Sequence, residues 1–163
     1  MPTAIRLATA ADGAAVASLL RATDLHYWGS APPESAYRGV ASRLLDPSGD
    51  CELALAAADG QPAGFATFAV VYPAPALGGL LYLKDLFVLA AFRGHGIGQE
   101  LMRFLARQAR ARGCSRMDWT TETDNPRAMA FYQRLGARPV QGKVYYRLEG
   151  QDLQRLGAPE AEG

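Results

Sequence analysis

Three glycines in a short stretch predict a loop that binds an anion. Gly94, Gly96 and Gly98 lie between an apolar segment, residues 81–89, that is typical of a β-strand and an amphipathic segment that is typical of a helix. Because glycine has no Cβ atom, such a loop can bend until several backbone N–H groups face one anion. The positive end of the following helix adds to the attraction, and Arg93 supplies a formal charge beside it. The chemistry indicated is phosphate binding.

The spacing excludes two common phosphate-binding motifs. The dinucleotide fingerprint G-x-G-x-x-G fails because position 99 is Gln99. The P-loop pattern fails because no Gly-Lys-Ser/Thr sequence follows. The alternative is a tight strand-to-helix turn that uses glycine for its geometry alone, since such turns also occur by accident.

Composition narrows the class of protein. At 163 residues the chain has the length of one domain with a substantial core. A net charge of +1 gives no global field that would attract nucleic acid or an anionic membrane, so neither is expected as a partner. No apolar run reaches the length of a membrane-spanning helix, and the first 20 residues do not resemble a signal peptide. Cys51 and Cys114 are isolated and lack metal-ligand spacing, which predicts reduced thiols in a cytoplasmic protein and no metal site.

Strands and helices are predicted to alternate in one mixed α/β (α+β) domain covering residues 1–163. Thr9 and Asp12 form a capping signal for the first helix, and Pro33 starts the second. The buried faces are expected to use Val16, Leu19 and Leu20 in the first helix, and Tyr37, Val40, Leu44 and Leu45 in the second. The predicted elements are a strand at 3–8, a helix after Thr9, a loop at 23–33, a helix up to Leu45, a hairpin of 51–58 with 62–72, a strand at 80–89, a helix at 97–112, a strand at 116–121, a helix at 126–135, a final strand through Val144, Tyr146 and Leu148, and a short helix around Leu153 and Leu156.

Two motifs carry a family resemblance. The first matches Arg/Gln-x-x-Gly-x-Gly/Ala at Arg93, Gly96 and Gly98. The second matches N-x-x-A-x-x-F/L-Y-x-x-x-G-A at Asn125, Ala128, Phe131, Tyr132, Gly136 and Ala137. Residues 81–137 thereby resemble the GNAT superfamily of acetyl-CoA-dependent N-acetyltransferases. The resemblance implies a central, mostly antiparallel, twisted sheet with splayed central strands and flanking helices.

The resemblance also implies where acetyl-CoA, the co-substrate, would bind. Backbone groups of the strand before the loop would hold the pantetheine arm, Asn125 would contact that arm, and Tyr132 would stand near the sulfur. The loop amides would hold the pyrophosphate beside Arg93. The residues concerned are Leu86, Phe87 and Val88 on the strand, and Gly94, His95, Gly96, Ile97, Gly98 and Gln99 in the loop.

Acetyl transfer from a thioester to an amine fits these residues. The amine must be neutral, the carbonyl oxygen needs a hydrogen-bond donor, and the departing thiolate needs a proton. The donor is expected to be the backbone N–H of Leu86 or Val88. Tyr132 is the candidate general acid, because a phenol and a thiol have similar acidity. Packing of Phe131 and Tyr132 as a core anchor is the alternative, and we expect it for Phe131.

On the acceptor side, the sequence leaves two roles open for Asp85. Asp85 either orients a water that accepts the amine proton or is a structural acid bonded to backbone. Many diamine-acting relatives have Glu-Asp where this chain has Lys84-Asp85, which counts against polyamines. Lys84 would suit a substrate carboxylate, but side chains alternate along a strand, so Lys84 and Asp85 share a face only if a bulge intervenes.

Three amphipathic residues, His26, Tyr27 and Trp28, lie between the first two predicted helices. In relatives this segment forms part of the acceptor pocket, so all three are candidate substrate-binding residues. Packing of the segment on the core through Trp28 is the alternative.

The sequence therefore predicts an N-acetyltransferase for the primary amine of an amino acid or another small molecule. A protein acetyltransferase for lysine or an N-terminus, and a non-catalytic module that binds acetyl-CoA, are the alternatives. Because relatives often pair, a homodimer is expected, with residues 143–148 as its interface.

Overall fold

The computed structural model describes residues 1–159, which form two compact units divided between Glu122 and Thr123. The first unit contains every strand of the described residues, namely β1 (Thr3–Leu7), β2 (Glu52–Ala58), β3 (Gln61–Val71), β4 (Gly79–Val88) and β5 (Cys114–Asp118). It also contains α1 (Gly13–Trp28), α2 (Glu34–Leu44) and α3 (Ile97–Ala111). The second unit contains α4 (Pro126–Arg134) and α5 (Gly150–Leu156).

The sheet follows chain order, β1-β2-β3-β4-β5. Its pairs are antiparallel except for β4 with β5, which is parallel. The predicted hairpin of β2 and β3 is confirmed, and its turn consists of Asp59 (φ 48°) and Gly60 (φ 78°), the left-handed pair that a two-residue hairpin loop requires. The predicted mixed α/β fold with a mostly antiparallel sheet is therefore confirmed.

Helices cover both faces of the sheet. On one face, Leu53, Leu55, Phe65 and Phe87 form a core with α1 and α2. The alternate residues of the same strands are also buried, and α3 packs on that side through Ile97, Leu101 and Leu105. Each sheet residue thus packs against either the α1–α2 layer or α3, according to its position in the pleat.

Two ion pairs connect secondary-structure elements at the edges of the first unit. The Arg6 guanidinium donates to both carboxylate oxygens of Asp12, at 2.7 and 2.8 Å, and Asp12 also accepts the Thr9 backbone N–H at 2.8 Å. The Arg6 side chain holds the pKa of Asp12 well below its ordinary value, although burial of the carboxylate opposes this effect. At the other end, Arg112 pairs with Glu52 and lies over the Phe68 ring, which ties the end of α3 to the start of β2.

Three predictions of local structure are wrong. Residues 23–28 were expected in a loop, but α1 continues to Trp28 and ends at Gly29, whose φ of 69° forms a left-handed cap. Val40 was expected to be buried in α2, but it is 48% exposed, and Ala41 takes the core position.

The predicted final strand through Val144, Tyr146 and Leu148 does not form, and residues 143–149 have no regular structure. Alternation of apolar residues requires a neighbouring strand before it can become a β-ladder. Within the described part of the second unit the regular elements are both helices, so this segment has no strand to pair with there. The predicted short helix around Leu153 and Leu156 is confirmed as α5.

Candidate active site

The glycine loop connects β4 to α3 as predicted. Gly94 and Gly96 have φ of 83° and 80°, and Gly96 is the N-cap of α3. A Cβ atom added at either glycine would project into open space with no protein atom within 4 Å. The positive φ therefore needs glycine, and the backbone of the loop is left accessible to a ligand. Gly98 lies within the first turn of α3, so the helix N-terminus and its N–H groups begin in the loop.

Arg93 lies against the strand that precedes the loop. Its Nε donates to the Val88 carbonyl oxygen at 2.9 Å, and its guanidinium carbon lies 5.6 Å from the centre of the Phe87 ring. The Arg93 side chain thereby stabilises the end of β4, and the backbone N–H groups of the glycine loop follow it in the sequence. Arg93 thus contacts the end of β4 directly before the glycine loop begins.

Among residues 1–159, no strand pairs with the second half of β4 on its β5 side, which is therefore an open edge. Pairing with β5 runs from Gly79 to Tyr82 and does not continue toward Val88. On the other side, the Leu89 N–H donates to the Ala63 carbonyl, which makes Val88 opposite Gly64 a non-hydrogen-bonded pair. By alternation, Leu86 and Val88 direct their backbone groups away from β3 and toward the open edge, whereas Phe87 directs its backbone toward β3.

A bulge brings Lys84 and Asp85 together. Thr67 lies opposite Asp85 while Phe68 lies opposite Leu83, so Lys84 is an extra residue in β4. The bulge cancels the alternation of the strand, and Lys84 Nζ lies 3.2 Å from Asp85 Oδ1. Lys84 and Asp85 therefore meet the condition for sharing one face of β4, which was an intervening bulge.

Thr67 is a site residue that sequence reasoning missed. Its buried hydroxyl donates to Asp85 Oδ2 at 2.7 Å. Only the register of β3 against β4 brings the two side chains together, and they are 18 positions apart in the sequence. Cys51 is near the same carboxylate: burial raises the pKa of its thiol, and the Asp85 charge raises it further.

The end of α1 lies over β4 on the face that carries Asp85. The His26 ring centre is 5.8 Å from that of Phe87 and 5.0 Å from that of Tyr27. Phe87 is two residues beyond Asp85, so the two side chains share one face of the strand. Trp28 is 77% exposed and does not pack on the core.

A second carboxylate, that of Asp24, lies in the α1–α2 layer. The Tyr37 hydroxyl of α2 donates to Asp24 Oδ2 of α1 at 2.6 Å. Burial raises the pKa of Tyr37, and the Asp24 carboxylate raises it further. This hydrogen bond links α2 to α1, the helix that carries the candidate acceptor residues His26, Tyr27 and Trp28.

Asn125 and Tyr132 belong to α4 in the second unit. Asn125 is the N-cap, and its Oδ1 accepts the Ala128 N–H at 3.0 Å. The Tyr132 ring packs against that of Phe131 with centres 5.1 Å apart. Phe131 is only partly buried, and Gly136 (φ 88°) follows the end of the helix as predicted. Both motif residues thus lie on one short, well-capped helix.

Two negative findings apply to residues 1–159. No cluster of three or more His, Cys, Asp or Glu side chains has the arrangement of a metal site there. No helix in that range is both long and apolar enough to span a bilayer.

Comparison with protein families gives a match over most of the chain. The model of the "Acetyltransferase (GNAT) family" matches residues 14–137. A solved structure from the mobile metagenome of Vibrio cholerae, an integron cassette protein, is 34% identical, with a TM-score of 0.91 over 98% of this chain and 99% of that chain.

Curated relatives match over shorter stretches. Thialysine N-epsilon-acetyltransferase of Bos taurus is 34% identical over 79 residues, which is 47% of this chain and 46% of the relative. L-ornithine N5-acetyltransferase of Arabidopsis thaliana is 32% identical over 94 residues, 58% of this chain and 41% of the relative. The chain thus spans less than half the length of these two relatives. Aminoglycoside N-acetyltransferase AAC(6')-Iy, solved with CoA, shares the fold with a TM-score of 0.71 over 90% of this chain and 94% of that chain, at 23% identity.

Proposed function

Because this chain belongs to the GNAT family of N-acetyltransferases, we propose that it moves the acetyl group of acetyl-CoA to the side-chain amine of a free basic amino acid. The observation that carries the proposal is the bulge that sets the Lys84 ammonium beside the Asp85 carboxylate. A substrate that bears both a carboxylate and an amine offers a complement to each charge. The thialysine and ornithine acetyltransferases among the relatives support this class of acceptor.

The family uses acetyl-CoA, and the residues present fit it. Gly94 and Gly96 leave the loop backbone open, and the N-terminus of α3 begins there. Backbone N–H groups at a helix start bind phosphate well. The open edge of β4 offers the N–H and C=O of Leu86 and the N–H of Val88 to a pantetheine amide, as a neighbouring strand would, while the Val88 carbonyl accepts from Arg93. When bound, acetyl-CoA supplies an acetyl group activated as a thioester.

The transfer needs a hydrogen-bond donor at the acetyl carbonyl oxygen and a proton for the leaving sulfur. We assign the donor to the backbone N–H of Leu86 or Val88, because both point to the open edge. We assign the proton to Tyr132 on the capped helix α4. In this account Asn125, besides capping α4, contacts the pantetheine arm.

On the acceptor side, Asp85 orients the attacking amine and directs a water that takes its proton. Lys84 pairs with the substrate carboxylate, exchanging its contact with Asp85 for one with the substrate. His26 and Tyr27, over Phe87 on the same face, form the wall of the acceptor site. Trp28, which is exposed, covers the acceptor from the solvent side in this proposal.

The matched pair of ornithine and putrescine tests this specificity, because putrescine is ornithine without its carboxyl group. The proposal requires kcat/KM for ornithine to exceed that for putrescine by at least roughly tenfold, the value of one charge-assisted contact. Lysine, an aminoglycoside and a basic peptide complete the panel. A preference for putrescine would reject the basic amino acid, and a preference for the peptide would favour a protein acetyltransferase.

We also propose a cytoplasmic homodimer. Val144, Tyr145 and Tyr146 are 72%, 69% and 87% exposed, which is unusual for consecutive apolar side chains. A second copy of the chain would cover the segment 143–148. Sedimentation of the wild type and of Tyr146→Asp tests this interface. We expect the wild type to be a dimer and Tyr146→Asp to be a monomer. A wild-type monomer at working concentration would reject the interface. The free thiols Cys51 and Cys114 fit a reducing compartment.

A further inference from the structure

Thr67 is a buried polar residue in an apolar part of β3. It is 2% exposed, and its neighbours Phe65 and Phe68 are fully buried. Valine would fill the same space in a strand and would carry no hydroxyl group to desolvate. Shape alone therefore does not account for the hydroxyl, whose hydrogen bond goes to Asp85 Oδ2 at 2.7 Å.

Two groups contact the Asp85 carboxylate, a buried hydroxyl and an exposed ammonium. Thr67 binds Oδ2 from inside the sheet, and Lys84 binds Oδ1 at 3.2 Å from the solvent side. The Lys84 side chain is 69% exposed and that of Asp85 is 43% exposed. The inner contact is thus fixed by the core, whereas the outer contact can be exchanged for one with a ligand.

We propose that Thr67 is a positioning residue for the acceptor. Its buried hydroxyl fixes the Asp85 carboxylate so that the oxygen shared with Lys84 is presented to the acceptor amine. This inference rests on the proposed function, in which Asp85 serves that amine. Thr67 acts only through Asp85, since it lies behind the carboxylate and within the sheet.

Two substitutions separate the hydroxyl from the shape of the side chain. Thr67→Val keeps the volume and loses the donor, whereas Thr67→Ser keeps the donor. We expect Thr67→Val to lower kcat/KM for ornithine by roughly tenfold or more, as for loss of a hydrogen bond to a charged group. Thr67→Ser retains the hydrogen bond and stays within about threefold of wild type. The KM for acetyl-CoA is expected to stay unchanged in both variants.

A double-mutant cycle with Asp85→Asn distinguishes positioning from a general structural defect. If Thr67 acts through Asp85, Thr67→Val has little further effect in the Asp85→Asn background, less than about twofold in kcat/KM. Equal losses in both backgrounds would overturn the proposal. Wild-type kinetics in Asp85→Asn would also overturn the proposal, because Thr67 would then have no functional carboxylate to position. That result would not contradict acetyl transfer by the protein.

Crystal structures of the two Thr67 variants give a readout that does not require turnover. The Asp85 carboxylate is expected to leave its position in Thr67→Val and to keep it in Thr67→Ser. An unmoved carboxylate in Thr67→Val contradicts the proposal. If the wild type acetylated no amine, the proposed function would fail, and these structures would still decide whether Thr67 fixes Asp85.

Discussion

The side chains of Lys84 and Asp85 meet at 3.2 Å although the two residues are consecutive on one strand. In a regular strand they would point to opposite faces, and the bulge opposite Thr67 and Phe68 removes that separation. An ammonium and a carboxylate therefore stand side by side in the middle of the sheet. Their arrangement suits a substrate that carries both charges.

Reversing the charge at position 84 should change the acceptor preference. Lys84→Glu places two carboxylates together, which repels a substrate carboxylate and attracts a second amine. We expect the ratio of kcat/KM for ornithine to that for putrescine to fall by roughly tenfold or more. Arg110→Glu on the exposed side of α3 makes the same change in charge and serves as the control. An unchanged ratio in Lys84→Glu removes Lys84 from substrate recognition.

Gly96→Ala should weaken coenzyme A binding. Alanine at a φ of 80° strains the backbone and puts a methyl group in the space left open above the loop. Gly60→Ala in the β2–β3 turn is the matched control, because Gly60 has a φ of 78° and equally open surroundings. Both variants should lose about 1–2 kcal/mol of unfolding free energy.

Only Gly96→Ala should raise the Kd for coenzyme A in calorimetry, by roughly tenfold for the loss of one charge-assisted hydrogen bond. Equal Kd values in the two variants would mean that the loop does not hold the cofactor.

Tyr132→Phe should affect chemistry far more than cofactor binding. Loss of a general acid typically lowers turnover by about 10²- to 10⁴-fold. The Kd for acetyl-CoA should stay close to that of the wild type, because the ring remains packed on Phe131. Tyr72→Phe, at a position that is 61% exposed and outside the proposed site and interface, is the control for the removal of a phenol. Stopped-flow measurement of single turnovers gives the rate, and a Tyr132→Phe rate equal to that of the control would refute the acid role.

Acid should destabilise the protein partly through Asp12. Arg6 holds the pKa of Asp12 below its ordinary value, so the native state binds this proton less readily than the unfolded state does. The stabilisation is therefore complete above the unfolded pKa of about 3.9 and is lost as the pH falls below it. Urea unfolding between about pH 5 and pH 2.5 should show a larger loss of free energy in the wild type than in Asp12→Asn. Equal losses would contradict the assignment.

Most of the fold was predictable because the local signals agree with one another. Apolar runs on either side of the Asp59-Gly60 turn defined β2 and β3, a third apolar run defined β4, and the helical periodicity of Leu101 and Leu105 defined α3. The end of α1 differs from the prediction because polar residues such as Asp24, which are typical of a loop, lie here within the helix. The helix in fact continues until Gly29 provides a left-handed cap.

What could not be predicted depends on pairing. The strand expected at 144–148 needs a partner strand that its own sequence cannot supply. The contact of Thr67 with Asp85 likewise depends on the register of β3 against β4, and on which residue of β4 forms the bulge. The family resemblance identified Lys84 and Asp85 as candidates, but only the bulge in the folded sheet brings their side chains together.

The most direct measurement incubates the purified protein with acetyl-CoA and ornithine, and follows both the release of free thiol and the mass of the amino acid. We predict one thiol released for each ornithine that gains an acetyl group, with the acetyl group on the side-chain nitrogen. Thiol release that does not depend on any amine, or no release with the whole acceptor panel, would contradict the account.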